Sequence, residues 1–134
     1  MKWIVKDIKE EDDIGFVYKI TNKLNNKFYI GKKQLYKQIR RKPLKGYKRV
    51  RISRVESDWR IYQGSCKSLL EDIKLYGENN FEKEIIKYCK SKWELTYMEL
   101  KYQLEYDVLN PKVNSYNGII NIRLRKLGDK DARV

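Results

Sequence analysis

The chain has no histidine, so any proton transfer must fall to tyrosine, glutamate, aspartate, lysine or arginine. Histidine-based metal sites, Cys/His zinc fingers and Ser-His hydrolase chemistry are excluded together. Three side chains stand out against that background. Tyr18 and Tyr29 fall on the two arms of one predicted hairpin, and Gly31-Lys32-Lys33 follows the second tyrosine. A phenol beside cations can titrate low enough to serve as a general base. Glu99 lies at the margin of an apolar helical stripe, flanked by Leu95, Tyr102 and Tyr106. A carboxylate there must be ion-paired, bind a metal or face a wet cleft, because burying it uncompensated costs on the order of several kcal/mol.

Beside these candidates runs a dense positive charge. Between Lys32 and Arg60 there are twelve basic residues (Lys32, Lys33, Lys37, Arg40, Arg41, Lys42, Lys45, Lys48, Arg49, Arg51, Arg54 and Arg60) against Glu56 and Asp58. This block supplies most of the formal net charge of +13. Interleaved with Tyr36, Tyr47, Trp59 and Tyr62, it is the footprint of a surface for a polyphosphate backbone, with arginine forks for phosphate and aromatic faces for bases. A solvated basic loop or a surface for anionic lipid would carry the same charge, but no amphipathic membrane helix accompanies it.

The elements that must position these residues read as one α/β domain of the α+β kind over residues 1–134. Residues 1–13 form an N-terminal arm or short edge strand ending in the acidic run Glu10-Glu11-Asp12-Asp13, read as a solvated turn, or as a segment that holds the core away from a polyanion or docks on the basic block. Ile14, Phe16, Tyr18 and Ile20 alternate with Val17 and Lys19 as in a half-buried strand, and Phe28 and Ile30 alternate with Tyr29 and Gly31 on the return run. Asn25-Asn26 supplies the loop. Residues 32–56, interrupted by Pro43 and Gly46, read as a basic insertion, an extended loop or loop with short strands. A short helix is predicted at Ser57–Tyr62 with Ser57 as N-cap, and a better one after Ser65, its apolar positions at Cys66, Leu69, Leu70, Ile73 and Tyr76, closing at Gly77. Phe81–Cys89 is a third strand with Phe81, Ile85 and Cys89 on one side and Ile86 and Tyr88 on the other. The longest helix spans about residues 92–109, with a capping box from Ser91 to Glu94 and apolar stripes on two faces, as if sandwiched in the core. A turn at residues 114–118, a strand or helix over residues 119–127 and a frayed end complete a basic tail over residues 118–134.

Cys66 and Cys89 are the only cysteines and read as buried free thiols, not as a bridge. No apolar run reaches membrane-spanning length and no signal-peptide pattern opens the chain, so a cytoplasmic protein is expected.

The hairpin resembles the signature of the GIY-YIG nucleases. Tyr29-Ile30-Gly31 matches its second half letter for letter, whereas Gly15-Phe16-Val17-Tyr18 carries one residue more than the first half. The resemblance covers about residues 15–117 and implies a small antiparallel three-stranded sheet flanked by helices, with the basic insertion after the first hairpin. It implies that Tyr18 and Tyr29 activate and position water, that Glu99 binds one divalent metal, Mg²⁺ or Mn²⁺, and that Asn117 of Tyr116-Asn117 closes the site, with Lys32 in support. It also implies a catalytic arginine. Arg54 is preferred because the insertion displaces the usual spacing, with Arg40, Arg41 and Arg60 as alternatives. The layout, including Ser57-Asp58-Trp59 and Tyr62-x-Gly64-Ser65, is similar to small phage-encoded homing-type members, in which case the protein works in the host cytoplasm.

Phosphodiester hydrolysis needs an activated water, neutralised phosphoryl oxygens and help for the leaving oxygen, and a lone carboxylate suits Mg²⁺, which keeps most of its waters. The expected partner is double-stranded DNA, contacted by Lys33, Lys42, Lys45, Lys48, Arg49, Arg51, Arg123 and Arg125. No membrane and no small-molecule cofactor is expected, and the protein is expected to be a monomer or transient homodimer. The competing readings are a non-catalytic basic nucleic-acid-binding protein and an RNA-directed nuclease or accessory protein.

Overall fold

The computed structural model describes residues 1–128, and the end of the basic tail, residues 129–134, lies outside them. Its centre is β2 (Gly15–Asn22), paired antiparallel on one side with β3 (Phe28–Gln34) and on the other with β6 (Phe81–Cys89). The β2–β3 loop turns at Asn26, whose backbone is left-handed at φ 62°, and the Asn22 side chain accepts from the Leu24 N–H. Asparagine tolerates that conformation and mimics a turn with its own amide.

The expected three-stranded sheet has a fourth member. β1 (Trp3–Val5) adds parallel to β6, giving the order β1-β6-β2-β3, so the N-terminal arm takes its edge-strand form. The acidic run does not dock on the basic block. Lys90 gathers it instead, reaching Glu10, Asp12 and Asp13 at 3.0, 2.6 and 3.5 Å.

Strand β2 is covered on both faces, not half-buried. Phe16, Tyr18 and Ile20 pack against α1 (Lys67–Tyr76) through Leu69 and Ile73, while Val17, with Ile30 and Cys89, packs against α2 (Lys92–Glu105) through Leu95. Ile14 joins the second group, across the sheet from Phe16. The expected alternation on β6 also changes. The β2–β6 register passes from Val17–Lys87 to Tyr18–Ile85, a bulge that skips Ile86. One unpaired residue exchanges the faces beyond it, so Tyr88 joins Phe81 and Ile85, and Cys89 joins the opposite side with Ile86.

Three helix expectations are corrected. Residues 57–62 form turns, not a helix. Ser57 Oγ accepts from the Trp59 N–H but also donates to the Gln34 carbonyl, and the buried Lys83 ammonium takes the Arg60 and Tyr62 carbonyls at 3.1 and 2.9 Å, which ties the segment to β3 and β6. Helix α1 begins after Cys66, with no side-chain cap from Ser65. Helix α2 has the Ser91 cap, accepting from the Glu94 N–H at 3.0 Å, but it ends at Glu105 because Asp107 turns left-handed at φ 52°. It is not sandwiched: Leu95 and Gln103 are buried, whereas Tyr97 and Leu104, on the stripe opposite Leu95, are exposed. Residues 119–127 form neither strand nor helix.

The basic insertion takes its form of a loop with short strands. β3 runs on to Gln34, and β4 (Tyr36–Arg41) and β5 (Arg51–Glu56) form a separate two-stranded antiparallel ribbon. Buried Leu35 roots it, donating its N–H to Ile14 and accepting from Ser57. Both cysteines are free, Cys89 buried and Cys66 half-buried. No helix among the described residues is long and apolar enough to cross a membrane.

Candidate active site

Tyr18 sits opposite Gly31 in the β2–β3 pairing and Tyr29 sits opposite Ile20, which makes the two tyrosines diagonal neighbours on one face, close enough for their rings to meet. Their centroids are 6.2 Å apart. Gly31 is what allows this. A Cβ there would lie 2.5 Å from Tyr18 Oη, 2.6 Å from its Cζ and 2.9 Å from a Tyr29 ring carbon.

The two phenols differ in setting. Tyr18 is 1% exposed, ringed by Trp3, Phe16 and Tyr62, and its hydroxyl meets that of Tyr62. Burial, then the neighbouring phenols, hold it well above the usual tyrosine range. Tyr29 is half-buried, meets Ser65, and opens onto a cavity of about 340 Å³. Its phenol is also pushed up, by burial first, with the Ser65 hydrogen bond opposing. The expectation that nearby cations lower this pKa is therefore not met. Lys33 is drawn to Asp58 at 2.6 Å and lies 4.0 Å over the Tyr62 ring, and Lys32 donates to Thr96 Oγ1 at 2.8 Å.

Glu99 projects from α2 into the cavity that Tyr29 and Ser65 line. Burial raises its carboxyl pKa, partly countered by the Lys32 charge and backbone N–H. Asn117 lines the same cavity and works on the edge of β3: its Oδ1 accepts from the Ile30 N–H at 3.0 Å and its Nδ2 donates to the Ile30 carbonyl at 2.9 Å. The neighbouring Tyr116 is a structural phenol, donating to Asp72 at 2.7 Å and pushed up to about 12 by burial and that carboxylate.

The described residues hold no group of three or more acidic or cysteine side chains placed to cage a metal. A lone glutamate fits a hard cation that retains its waters. Gln103, one helical turn past Glu99 and lining the same cavity, has a buried Oε1 with no hydrogen-bond partner, an available neutral oxygen of the kind such a cation or its waters take. The donor set thus fits Mg²⁺ or Mn²⁺.

Tyr29, Glu99 and Asn117 are brought together, with Lys32 at the rim and Tyr18 directly beneath. The arginines are not. Among the described residues none lines this cavity. Arg54 lies on the ribbon 3.7 Å over the Tyr36 ring and borders a different groove. Arg40 and Arg41 lie on β4, and Arg60 is held by Glu56 at 2.9 Å. Lys42, Lys45, Lys48 and Arg49 are exposed at the ribbon tip, Arg51 opens β5, and Arg123 and Arg125 are exposed on the irregular tail. Sequence reasoning did not single out Tyr62, Ser65 or Gln103 as members of the site. The available signals were the Tyr62-x-Gly64-Ser65 turn, whose glycine has φ 91°, and the i,i+4 spacing of Gln103 from Glu99, which places both on one helix face.

A family model described as "Putative endonuclease segE, GIY-YIG domain" matches residues 2–120. No curated protein and no solved structure gives a significant match.

Proposed function

The chain belongs to the GIY-YIG endonuclease family, and from that premise we propose that it hydrolyses phosphodiester bonds in double-stranded DNA with Mg²⁺ or Mn²⁺, as a homing or restriction-like enzyme. The observation that carries this reading is the cavity that Tyr29 and Glu99 share: among the described residues Glu99 is the one carboxylate on its wall, and the other tyrosine lining it, Tyr116, has its hydroxyl bonded to Asp72. Glu99 and Gln103 would hold the cation. When bound, the cation supplies charge neutralisation for the leaving oxygen.

Tyr29 orients the attacking water and accepts its proton, and Ser65 fixes the phenol's direction. Tyr18, closed off from the cavity, acts as a positioning residue that sets the Tyr29 ring through direct contact. Lys32 meets charge on the phosphoryl oxygens, and Asn117 holds β3, and with it Tyr29, at the cavity edge. With no arginine among the described residues at the cavity wall, Arg40, Arg41 and Arg54 are assigned to the DNA backbone or bases together with the tip lysines. The protein acts as a monomer or transient homodimer.

Plasmid nicking with Mg²⁺ against EDTA tests the reading, comparing wild type with Glu99→Ala. Cleavage that needs the metal and disappears in the variant, with DNA binding retained, is expected. Binding without cleavage across divalent metals and several DNA substrates refutes it in favour of a non-catalytic binding protein, and preferential competition by RNA of matched length refutes the choice of DNA.

A further inference from the structure

The β4–β5 ribbon contributes little to the core. Apart from its root at Leu35, with Tyr36 and Trp59 packed at its base, its side chains are mostly exposed. Over residues 36–56 the sequence places nine basic residues against Glu56 alone. All nine are exposed, and none pairs with a carboxylate among the described residues. So much unpaired like charge on one protruding element is self-repulsive. It calls for a polyanion.

The two faces differ. Cross-strand partners share a face, so Gln38 lies opposite Arg54 and Arg40 opposite Ile52 on one side, while Arg41 lies opposite Arg51 on the other. On the second face the guanidinium groups are tethered, Arg41 to Ser53 Oγ at 2.9 Å and Arg51 to the Lys42 carbonyl at 3.3 Å. On the first, Gln38 is exposed and Arg54 is aligned by stacking on Tyr36. Glutamine and arginine are the side chains that make paired hydrogen bonds to adenine and guanine edges in the major groove.

We infer that the ribbon enters the major groove of duplex DNA and reads bases with Gln38, Arg40 and Arg54, while the tip residues Lys42, Lys45, Lys48 and Arg49 take the flanking phosphates. A two-stranded ribbon fits a groove about 12 Å wide, and six residues per strand at about 3.3 Å each span roughly 20 Å, or about 6 base pairs. The ribbon continues the strand that carries Tyr29, so the bases it reads lie within about one helical turn of the cut. This inference rests on the DNA-endonuclease reading and extends it from substrate class to the element that selects the target.

The test uses the full chain in EDTA, so that DNA is bound but not cut, on a long natural duplex fragment chosen for a mapped cleavage position. Dimethyl sulfate marks guanine N7 in the major groove and adenine N3 in the minor groove. Methylation at one or two guanines within about a turn of the cut is expected to weaken binding tenfold or more. Gln38→Ala and Arg54→Ala should each erase interference or base preference at one position while leaving the rest of the pattern. Interference confined to adenine N3, or a pattern identical in wild type and both variants, overturns the inference while leaving the endonuclease reading intact. Failure of the wild type to bind or cut duplex DNA overturns both.

Discussion

Gly31→Ala is the most incisive single perturbation of this site, because it adds one methyl group where two phenols already meet. The new Cβ would stand 2.5 Å from Tyr18 Oη, 2.6 Å from Tyr18 Cζ and 2.9 Å from the Tyr29 ring, each about 1 Å inside ordinary carbon contact. Tyr18 has no room to retreat, since it is fully buried among Trp3, Phe16 and Tyr62. The β3 backbone at residue 31 must therefore back away, and Tyr29, two residues along the same strand, is carried with it. Overpacking of this kind costs about 1–3 kcal/mol, and a displacement of about 1 Å at a reacting group costs roughly 100-fold in rate. Urea unfolding should show the lost stability, and Mg²⁺-dependent nicking well below the melting transition should show the lost rate. Gly118→Ala, whose Cβ would meet nothing within 4 Å, serves as the stability control. If Gly31→Ala matches wild type within about 0.5 kcal/mol and cleaves at the wild-type rate, the glycine is not there to make space for the tyrosine pair and the account of the site fails.

Three further outcomes follow from the same geometry. With the Tyr29 phenol held above its ordinary range, its basic form is scarce at neutral pH, so the cleavage rate should rise about tenfold per pH unit toward pH 10; a plateau below pH 8 removes Tyr29 as the proton acceptor. The carboxyl of Glu99 is raised by burial, so its ionised form weakens the fold above the unfolded carboxylate range, and that penalty fades as the pH falls and the group takes up its proton. Glu99→Gln should accordingly abolish cleavage yet raise the melting temperature at pH 7, with the gain shrinking toward pH 4; equal melting temperatures throughout would contradict the burial argument. Asn117→Ala removes both hydrogen bonds to Ile30 and should cost about 1–3 kcal/mol in urea unfolding, while a loss below about 0.5 kcal/mol would mean that the clamp is not needed.

The hairpin, the third strand and the Ser91 cap were legible in the chain because each is local: alternation, turn asparagines and cap spacing act within a few residues. Composition also fixed the chemistry available, since a chain without histidine must work with phenols, carboxylates and cations. What local signals could not carry was decided by long-range contacts. The bulge that skips Ile86 exchanges the faces of β6, and nothing in residues 81–89 alone shows where the register slips. Lys83 captures the carbonyls of residues 60 and 62 and so ties to β6 the turns that deliver Tyr62 and Ser65. Both phenols rise in pKa although lysines follow Tyr29 in sequence, because Lys32 and Lys33 bond elsewhere while burial acts on the hydroxyls. The insertion reads as a loop with or without short strands because its charge hides its alternation, and only pairing strand to strand separates Arg54 from the cavity and sets it opposite Gln38. Sequence determined which groups are present and most of the elements that carry them; the direction each group faces depends on registers and partners distant in the chain, and tertiary packing alone decides those.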